Sequence, residues 1–181
     1  MHPAIERFDQ RVDAAVESIR SPTLDRIFYP VSSAADHSLV WFAIGSARAI
    51  GRGDLRFATR FAAAMGFESA LTNGPVKALF RRGRPAPDTP EGPLPYGLHR
   101  PITSSFPSGH ATAAFTAAVL LATPGRRAPW YAFAAVVASS RVYVRMHHAS
   151  DVVGGAALGL ILGRLLRSWV RAPRPRGRLT R

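Results

Sequence analysis

Pro107-Ser108-Gly109-His110-Ala111-Thr112-Ala113-Ala114-Phe115-Thr116-Ala117-Ala118-Val119-Leu120-Leu121 decides how this chain folds. Ser108 is a natural helix N-cap, and the alanine and leucine that follow are the strongest helix formers. Pro124-Gly125 ends the run. The uncharged stretch from Phe106 to Thr123 is 18 residues long, which just reaches the length of a membrane-spanning helix. A helix start also presents free backbone N–H groups and a partial positive charge, and so attracts an anion. Gly109 keeps that approach open, and His110 stands in the first turn beside whatever binds.

Outward from this helix, four more follow the same rules. The spacing predicts helices over about 36–50, ending at Gly51-Arg52-Gly53, and about 54–80. Two more are predicted from about Pro129 to Val144 and from about Ser150 to Val170. Strand patterning is missing and alanine is abundant, so the fold class is all-α. Ile5, Phe8, Val12, Val16 and Ile19 recur at helical spacing in an N-terminal amphipathic helix, which suits either a bundle core or a membrane surface. Ser21-Pro22 starts a second short helix. Seven prolines between Arg81 and Pro107 make that segment a loop. The organisation expected is a 1–35 amphipathic helical segment, a 36–170 bundle of about five core helices, and a basic disordered tail over 171–181. Gly155, Gly159 and Gly163, four apart, give the last helix a face open to close approach. Packing inside the bundle is the first reading of that face, and a homo-oligomer seam the alternative.

The formal net charge is +13 and there are no cysteines, so neither disulfides nor a thiolate metal site is available. Nothing before Arg20 reads as a cleavable signal. No basic stretch is interleaved with aromatic residues, which argues against nucleic acid as a partner. Three further uncharged runs, 38–47, 128–140 and 152–163, are short for spans but lengthen if flanking arginines snorkel. Together these features describe a membrane-associated helical bundle.

Chemistry-bearing residues fall in three places. Lys77 and Arg84 are seven apart, at the end of a helix and the start of the loop. Among 24 Lys and Arg residues Lys77 is the single lysine, which hints that an ammonium is wanted there. Ser108, Gly109 and His110 form the helix start. Arg141, His147 and Asp151 lie at the junction of the last two helices, with His147 and Asp151 four apart so that one turn joins carboxylate and imidazole. A carboxylate on one ring nitrogen leaves the other free as nucleophile or base. His148 is a poorer choice because Val152 stands where its carboxylate would be. A metal held by His110, His147 and Asp151 stays open, although three nearby cations favour an anion.

The pattern Lys77-x6-Arg84-Pro85, Pro107-Ser108-Gly109-His110 and Ser140-Arg141-x5-His147-x3-Asp151 resembles the signature of the type-2 phosphatidic acid phosphatase superfamily, over about 36–166. The stretch from Ala34 to Trp41 is similar to small actinobacterial members. The resemblance implies metal-independent, cofactor-free hydrolysis of phosphate esters or diphosphates. His147 would form a phosphohistidine, Asp151 would orient it, and His110 would protonate the leaving oxygen. Lys77, Arg84, Arg141 and the amides of Ser108 and Gly109 would bind phosphate. A vanadate-dependent haloperoxidase and a noncatalytic basic adaptor are the alternatives.

All three motifs fall at one end of such a bundle, and Arg52, Arg56, Arg60, Arg126, Arg127 and the tail at the other. The positive-inside rule then predicts a multi-pass protein of the cell membrane with its site facing outward. The expected partners are membrane lipids and a lipid phosphate, namely a polyprenyl phosphate or diphosphate, phosphatidate or phosphatidylglycerol phosphate.

Overall fold

The computed structural model describes residues 2–85 and 103–172. Seven α-helices carry the chain: α1 (Pro3–Ile19), α2 (Pro22–Ala34), α3 (Leu39–Ile50), α4 (Leu55–Leu71), α5 (Gly109–Leu121), α6 (Ala128–Tyr143) and α7 (Ala149–Val170). No strand occurs among the described residues. The loop expected over 81–107 is non-helical where it is described; its middle, 86–102, and the tail beyond 172 lie outside the described residues.

Helix α5 is the axis of the bundle. Ten of its 13 residues are buried, and it packs on α7, α6 and α4. A helix that is apolar all round belongs inside. Trp41, Phe61, Met65, Leu120, Leu121 and Val137 fill the space around it. Burying each large side chain contributes about 1.5–3 kcal/mol. The glycine face of α7 meets α5 directly. A methyl at Gly155 would lie 2.5 Å from the Ser108 carbonyl oxygen, one at Gly163 would lie 2.7 Å from Val119 Cβ, and one at Gly159 would strike the Thr112 carbonyl. The three glycines therefore serve packing within the chain.

The far end of α5 is capped by arginines. Its last carbonyls accept from Arg171 (Leu120 O, 2.7 Å; Ala122 O, 2.5 Å), Arg167 (Ala122 O, 3.1 Å) and Arg48 (Leu121 O). Cations at a helix C-terminus satisfy its orphan acceptors and its dipole together.

One expectation needs correction. The single helix over 54–80 is broken: α4 gives way to a π-helical turn, Thr72–Val76, because Pro75 lacks an N–H and Gly74 takes non-helical angles (φ −93, ψ −105). For the amphipathic helix α1, where bundle core and membrane surface are both open in the sequence, only part of the apolar face meets the bundle. It buries Asp9 and half-buries Val12, Asp13, Val16 and Arg20, leaving Ile5, Phe8 and Ile19 exposed. The reason is polar. Asp9, 4 % exposed, meets partners on the bundle that outweigh the gain from turning Phe8 inward.

Helices α1 and α2 sit on the end of the bundle where α6 meets α7. Val16, Leu24, Phe28 and Tyr29 pack on Tyr143, Val144 and Met146. Phe28 stacks on Tyr143, the Tyr143 hydroxyl donates to Asp25 Oδ1 at 2.7 Å, and Arg20 donates to the Tyr143 carbonyl at 2.9 Å. As expected, Ser21 caps α2, its hydroxyl accepting from the Leu24 amide.

Candidate active site

Four pieces of chain meet at this same end: the π-helical turn with Lys77, the segment 80–85, the start of α5, and the α6–α7 junction. The junction is tight. Arg145 adopts a left-handed φ of 52°, and the amides of Met146 and His147 both return to the Arg141 carbonyl, at 3.0 and 3.1 Å. This turn fixes Arg141 and His147 relative to each other.

His147 is almost completely buried. Its Nδ1 lies 3.6 Å from Asp151 Oδ2, and its Nε2 lies 3.3 Å from Arg84 Nη1. Arg84 is held in turn by donation to the Met146 carbonyl at 2.7 Å. A guanidinium facing Nε2 suits a ring whose proton is on Nδ1. The nitrogen that faces the cations is then the one with the lone pair. Burial above all, aided by Arg141 and Arg84 and opposed by Asp151, pushes the His147 imidazole down to about 3, so the ring is neutral at ordinary pH.

Asp151 is fully buried and saturated with donors. Oδ2 accepts from the His148 amide at 2.9 Å and Oδ1 from Arg82 Nη1. Arg82 also donates to Ser150 Oγ at 2.7 Å and to Asp9 Oδ2 at 2.5 Å. Asp9 accepts further from the Ser150 amide and hydroxyl, both at 2.8 Å. A chain of ionic contacts thus runs from α1 through Arg82 to the carboxylate behind His147.

Arg141, 2 % exposed, donates to Ser32 Oγ and lies 3.7 Å from Asp36 Oδ1. The same Asp36 oxygen is 2.9 Å from His110 Nε2. Asp36 belongs to a single 3-10 turn, Asp36–Ser38, closed by Ser38 in the left-handed region at φ 60°. Lys77 is buried within electrostatic reach of Arg84 and Arg141 and, more weakly, of Asp151 and Glu68. Burial first, then Arg84 and Arg141, lowers its ammonium from 10.5 to about 8.

Ser108 caps α5, its hydroxyl accepting from the Ala111 amide. Its own amide, expected at the anion, donates instead to the Asp151 carbonyl at 3.0 Å, tying α5 to α7. Gly109 is a place of close approach, since a Cβ there would stand 2.9 Å from Asn73 Oδ1.

The structure therefore brings Arg84, Arg141, His147 and Asp151 into one charged cluster, with Lys77 electrostatically coupled to it and His110 joined through Asp36. Four participants escaped the sequence reading: Asp9, Ser32, Asp36 and Arg82. Arg82 lies in the basic run 81–84 and Asp36 at the start of the helix predicted over 36–50, and neither position carries a sign of its role in the site. Asp9 and Ser32 gave no signal, because their partners are more than 70 residues away. For the metal alternative, no group of three His, Asp or Glu converges among the described residues.

Known proteins share this chain's sequence pattern and fold. The sequence profile of the PAP2 superfamily matches residues 57–175. A decaprenylphosphoryl-5-phosphoribose phosphatase of Mycolicibacterium smegmatis is 34 % identical over 127 residues, covering 69 % of this chain and 67 % of that protein. A lipid A 1-phosphatase of Porphyromonas gingivalis is 42 % identical over 83 residues, which are 41 % of this chain and 19 % of the longer relative. Among solved structures, the transmembrane PAP2-type phosphatidylglycerolphosphate phosphatase of Bacillus subtilis superposes with a TM-score of 0.66 at 26 % identity, covering 96 % of this chain and 90 % of that one.

Proposed function

This chain belongs to the PAP2 superfamily and is a membrane-associated phosphatase, and we propose that it removes a terminal phosphate from a polyprenyl-linked lipid through a phosphohistidine on His147. The observation that carries the chemistry is the line Arg84–His147–Asp151, an imidazole between a guanidinium at 3.3 Å and a carboxylate at 3.6 Å. Support for the lipid comes from the M. smegmatis relative, named for a phosphoribose on a decaprenyl carrier.

In this reading Lys77, Arg84, Arg141 and the start of α5 at Gly109 hold the nonbridging oxygens and the charge that develops on them. The His147 Nε2 lone pair attacks phosphorus while the bond to the leaving oxygen breaks. Asp151 stabilises the cation formed on the ring. His110 gives its proton to the leaving oxygen. Water then attacks the phosphorus, the P–N bond breaks, and His110 recovers a proton as inorganic phosphate is released. Asp36 is placed to hold His110 between turnovers. The site lies at the ends of helices, where a lipid headgroup would reach it, and helices α3 to α7 would cross the membrane.

The test is phosphate release by the purified chain in detergent. The panel comprises a polyprenyl-phosphoryl phosphosugar, a polyprenyl diphosphate, phosphatidate and phosphatidylglycerol phosphate, each with and without chelator. The polyprenyl phosphosugar should turn over fastest, with no effect of chelator. His147→Ala should lose about 10³-fold or more in kcat. Rapid quenching with labelled substrate should trap an acid-labile phosphoenzyme that the variant lacks. Undiminished turnover by His147→Ala sinks the mechanism, and preference for a glycerolipid sinks the substrate assignment alone.

A further inference from the structure

At the opposite end of the bundle from His147 lies a cavity of about 260 Å³. Its walls carry Arg52, Arg56, Arg60 and Arg171, with Asp54 as the only carboxylate. Asp54 is already committed, its Oδ1 accepting from the Phe57 amide at 3.1 Å to cap α4. Two of the arginines are anchored. Arg60 donates to the carbonyls of Trp169 and Ala172, at 3.0 and 3.1 Å, and Arg171 to those of Leu120 and Ala122. No side-chain hydrogen bond or ion pair engages the guanidinium of Arg52 or Arg56 among the described residues, and both are exposed.

The cluster is short of negative charge. Arg171, at the very end of α7, is pushed down to about 10, by burial first and then by Arg167, Arg48 and Arg52. Like charges gathered around a concavity without counter-charge make a focused positive potential. The surroundings locate it at a lipid boundary. Ile50 and Leu55, which flank the lining stretch 52–54 closely in sequence, are exposed, and Trp169, which lies beneath Arg60 at 5.8 Å, has the amphipathic ring favoured at membrane interfaces.

We propose that this cavity binds the phosphodiester headgroup of an anionic phospholipid, with Arg52 and Arg56 as mobile arms closing on it from a wall formed by Arg60 and Arg171. The apolar flank selects the lipid over a free anion, because Ile50 and Leu55 would lie against acyl chains while the arginines hold the phosphate. A phosphodiester is not a substrate for a phosphomonoesterase, so occupancy here is separable from turnover at His147.

The experiment titrates the full chain, purified in neutral detergent, with phosphatidylglycerol, with phosphatidylcholine, and with inorganic phosphate and glycerol phosphate as free anions. Native mass spectrometry counts retained lipids, and the thermal midpoint gives a second readout. One phosphatidylglycerol per chain should be retained about 10-fold more tightly than phosphatidylcholine, with a rise in midpoint. The double variant Arg52→Gln/Arg56→Gln, which removes no contact within the fold, should lose that preference and keep its turnover in neutral detergent. Arg126→Gln/Arg127→Gln, which removes the same charge from the same end, should bind as before, and so should His147→Ala. Equal weakening in the two double variants would show only a diffuse basic surface. A midpoint shift from inorganic phosphate matching that from the lipid would make this a free-anion site. Either result overturns the proposal.

Discussion

Lys77 is the one cation of the cradle that can lose its charge near working pH. Its ammonium titrates near 8 while Arg84 and Arg141 stay charged throughout. Because kcat/KM reports the free enzyme, its alkaline limb should fall at about pH 8 in the wild type. Lys77→Arg should move that limb beyond about pH 10, at some cost in rate from the bulkier fork. An unmoved limb would assign it to another group. His147 bears on stability instead. Its folded value near 3 lies below its ordinary 6.5, so the folded chain refuses a proton that the unfolded chain accepts. Its contribution is therefore flat above pH 6.5, and stability falls as pH drops from 6.5 towards 3, a slope that His147→Gln should reduce. Asp36 sits where it both holds His110 and faces Arg141. Asp36→Asn keeps the shape and removes the charge, so inhibition by product phosphate should tighten several-fold while kcat falls, read from a phosphate-inhibited time course. At this scale the sequence was legible wherever one local motif carries the chemistry, as for His147 with Asp151. It was illegible where a partner arrives through the fold, as Asp36 does for His110.

Helices read better than their orientations. The starts and ends of α5, α6 and α7 follow from Ser108, Pro124, Pro129 and the polar junction at 145–148, so local rules suffice. The break in α4 was hidden in Gly74-Pro75 inside an otherwise helical pattern. The facing of α1 was hidden because hydrophobic periodicity cannot see an ion pair. Asp9 decides that facing and reaches the site through Arg82, which it shares with Asp151. Without Asp9, the Arg82 guanidinium would keep only Ser150 and Asp151. Asp9→Ala should cost about 3 kcal/mol of stability, the usual penalty for orphaning one partner of a buried pair. Asp9→Asn, whose remaining oxygen can still accept from the Ser150 amide, should retain most stability yet lower kcat several-fold with KM unchanged. A loss confined to stability would make α1 a passive prop. At the α5–α7 seam, Gly159→Val should destabilise by about 1–3 kcal/mol, because its side chain meets backbone that can move only by separating the helices. Thermal unfolding of the purified variant checks this.

The distribution of charge over the whole molecule argues for one orientation. Helix α7, Ala149–Val170, is long and apolar enough to cross a membrane, and it exposes Val153, Ile161 and Leu165 along its outer side. If helices α3 to α7 cross in turn, as proposed, the odd number of crossings would put the N-terminal helices and the C-terminal end of α7 on opposite sides. Helices α1 and α2 rest on the α6–α7 junction beside His147. Acidic residues gather there too: Asp9, Asp13, Glu17, Asp25, Asp36 and Asp151. At the other end Asp54 is the one carboxylate among the described residues, against Arg48, Arg52, Arg56, Arg60, Arg126, Arg127, Arg167 and Arg171. Lys77, Arg82, Arg84, Arg141 and Arg145 stand at the His147 end too, but they are buried or paired there, and we propose that the exposed Arg52, Arg56, Arg126 and Arg127 hold their end inside and leave the His147 end outside. A substrate phosphate would then be met on the outer surface of the membrane. Fusions expressed in a bacterial host test the arrangement. A fluorescent protein after Arg181 should fold and fluoresce in the cytoplasm, and an alkaline phosphatase in the same position should stay inactive. Active alkaline phosphatase there would invert the orientation and place the phosphate-handling end in the cytoplasm. Changing Arg52, Arg56, Arg126 and Arg127 together to Gln should weaken the orientation towards a mixture, because those four lie in or beside the short connections that the rule counts.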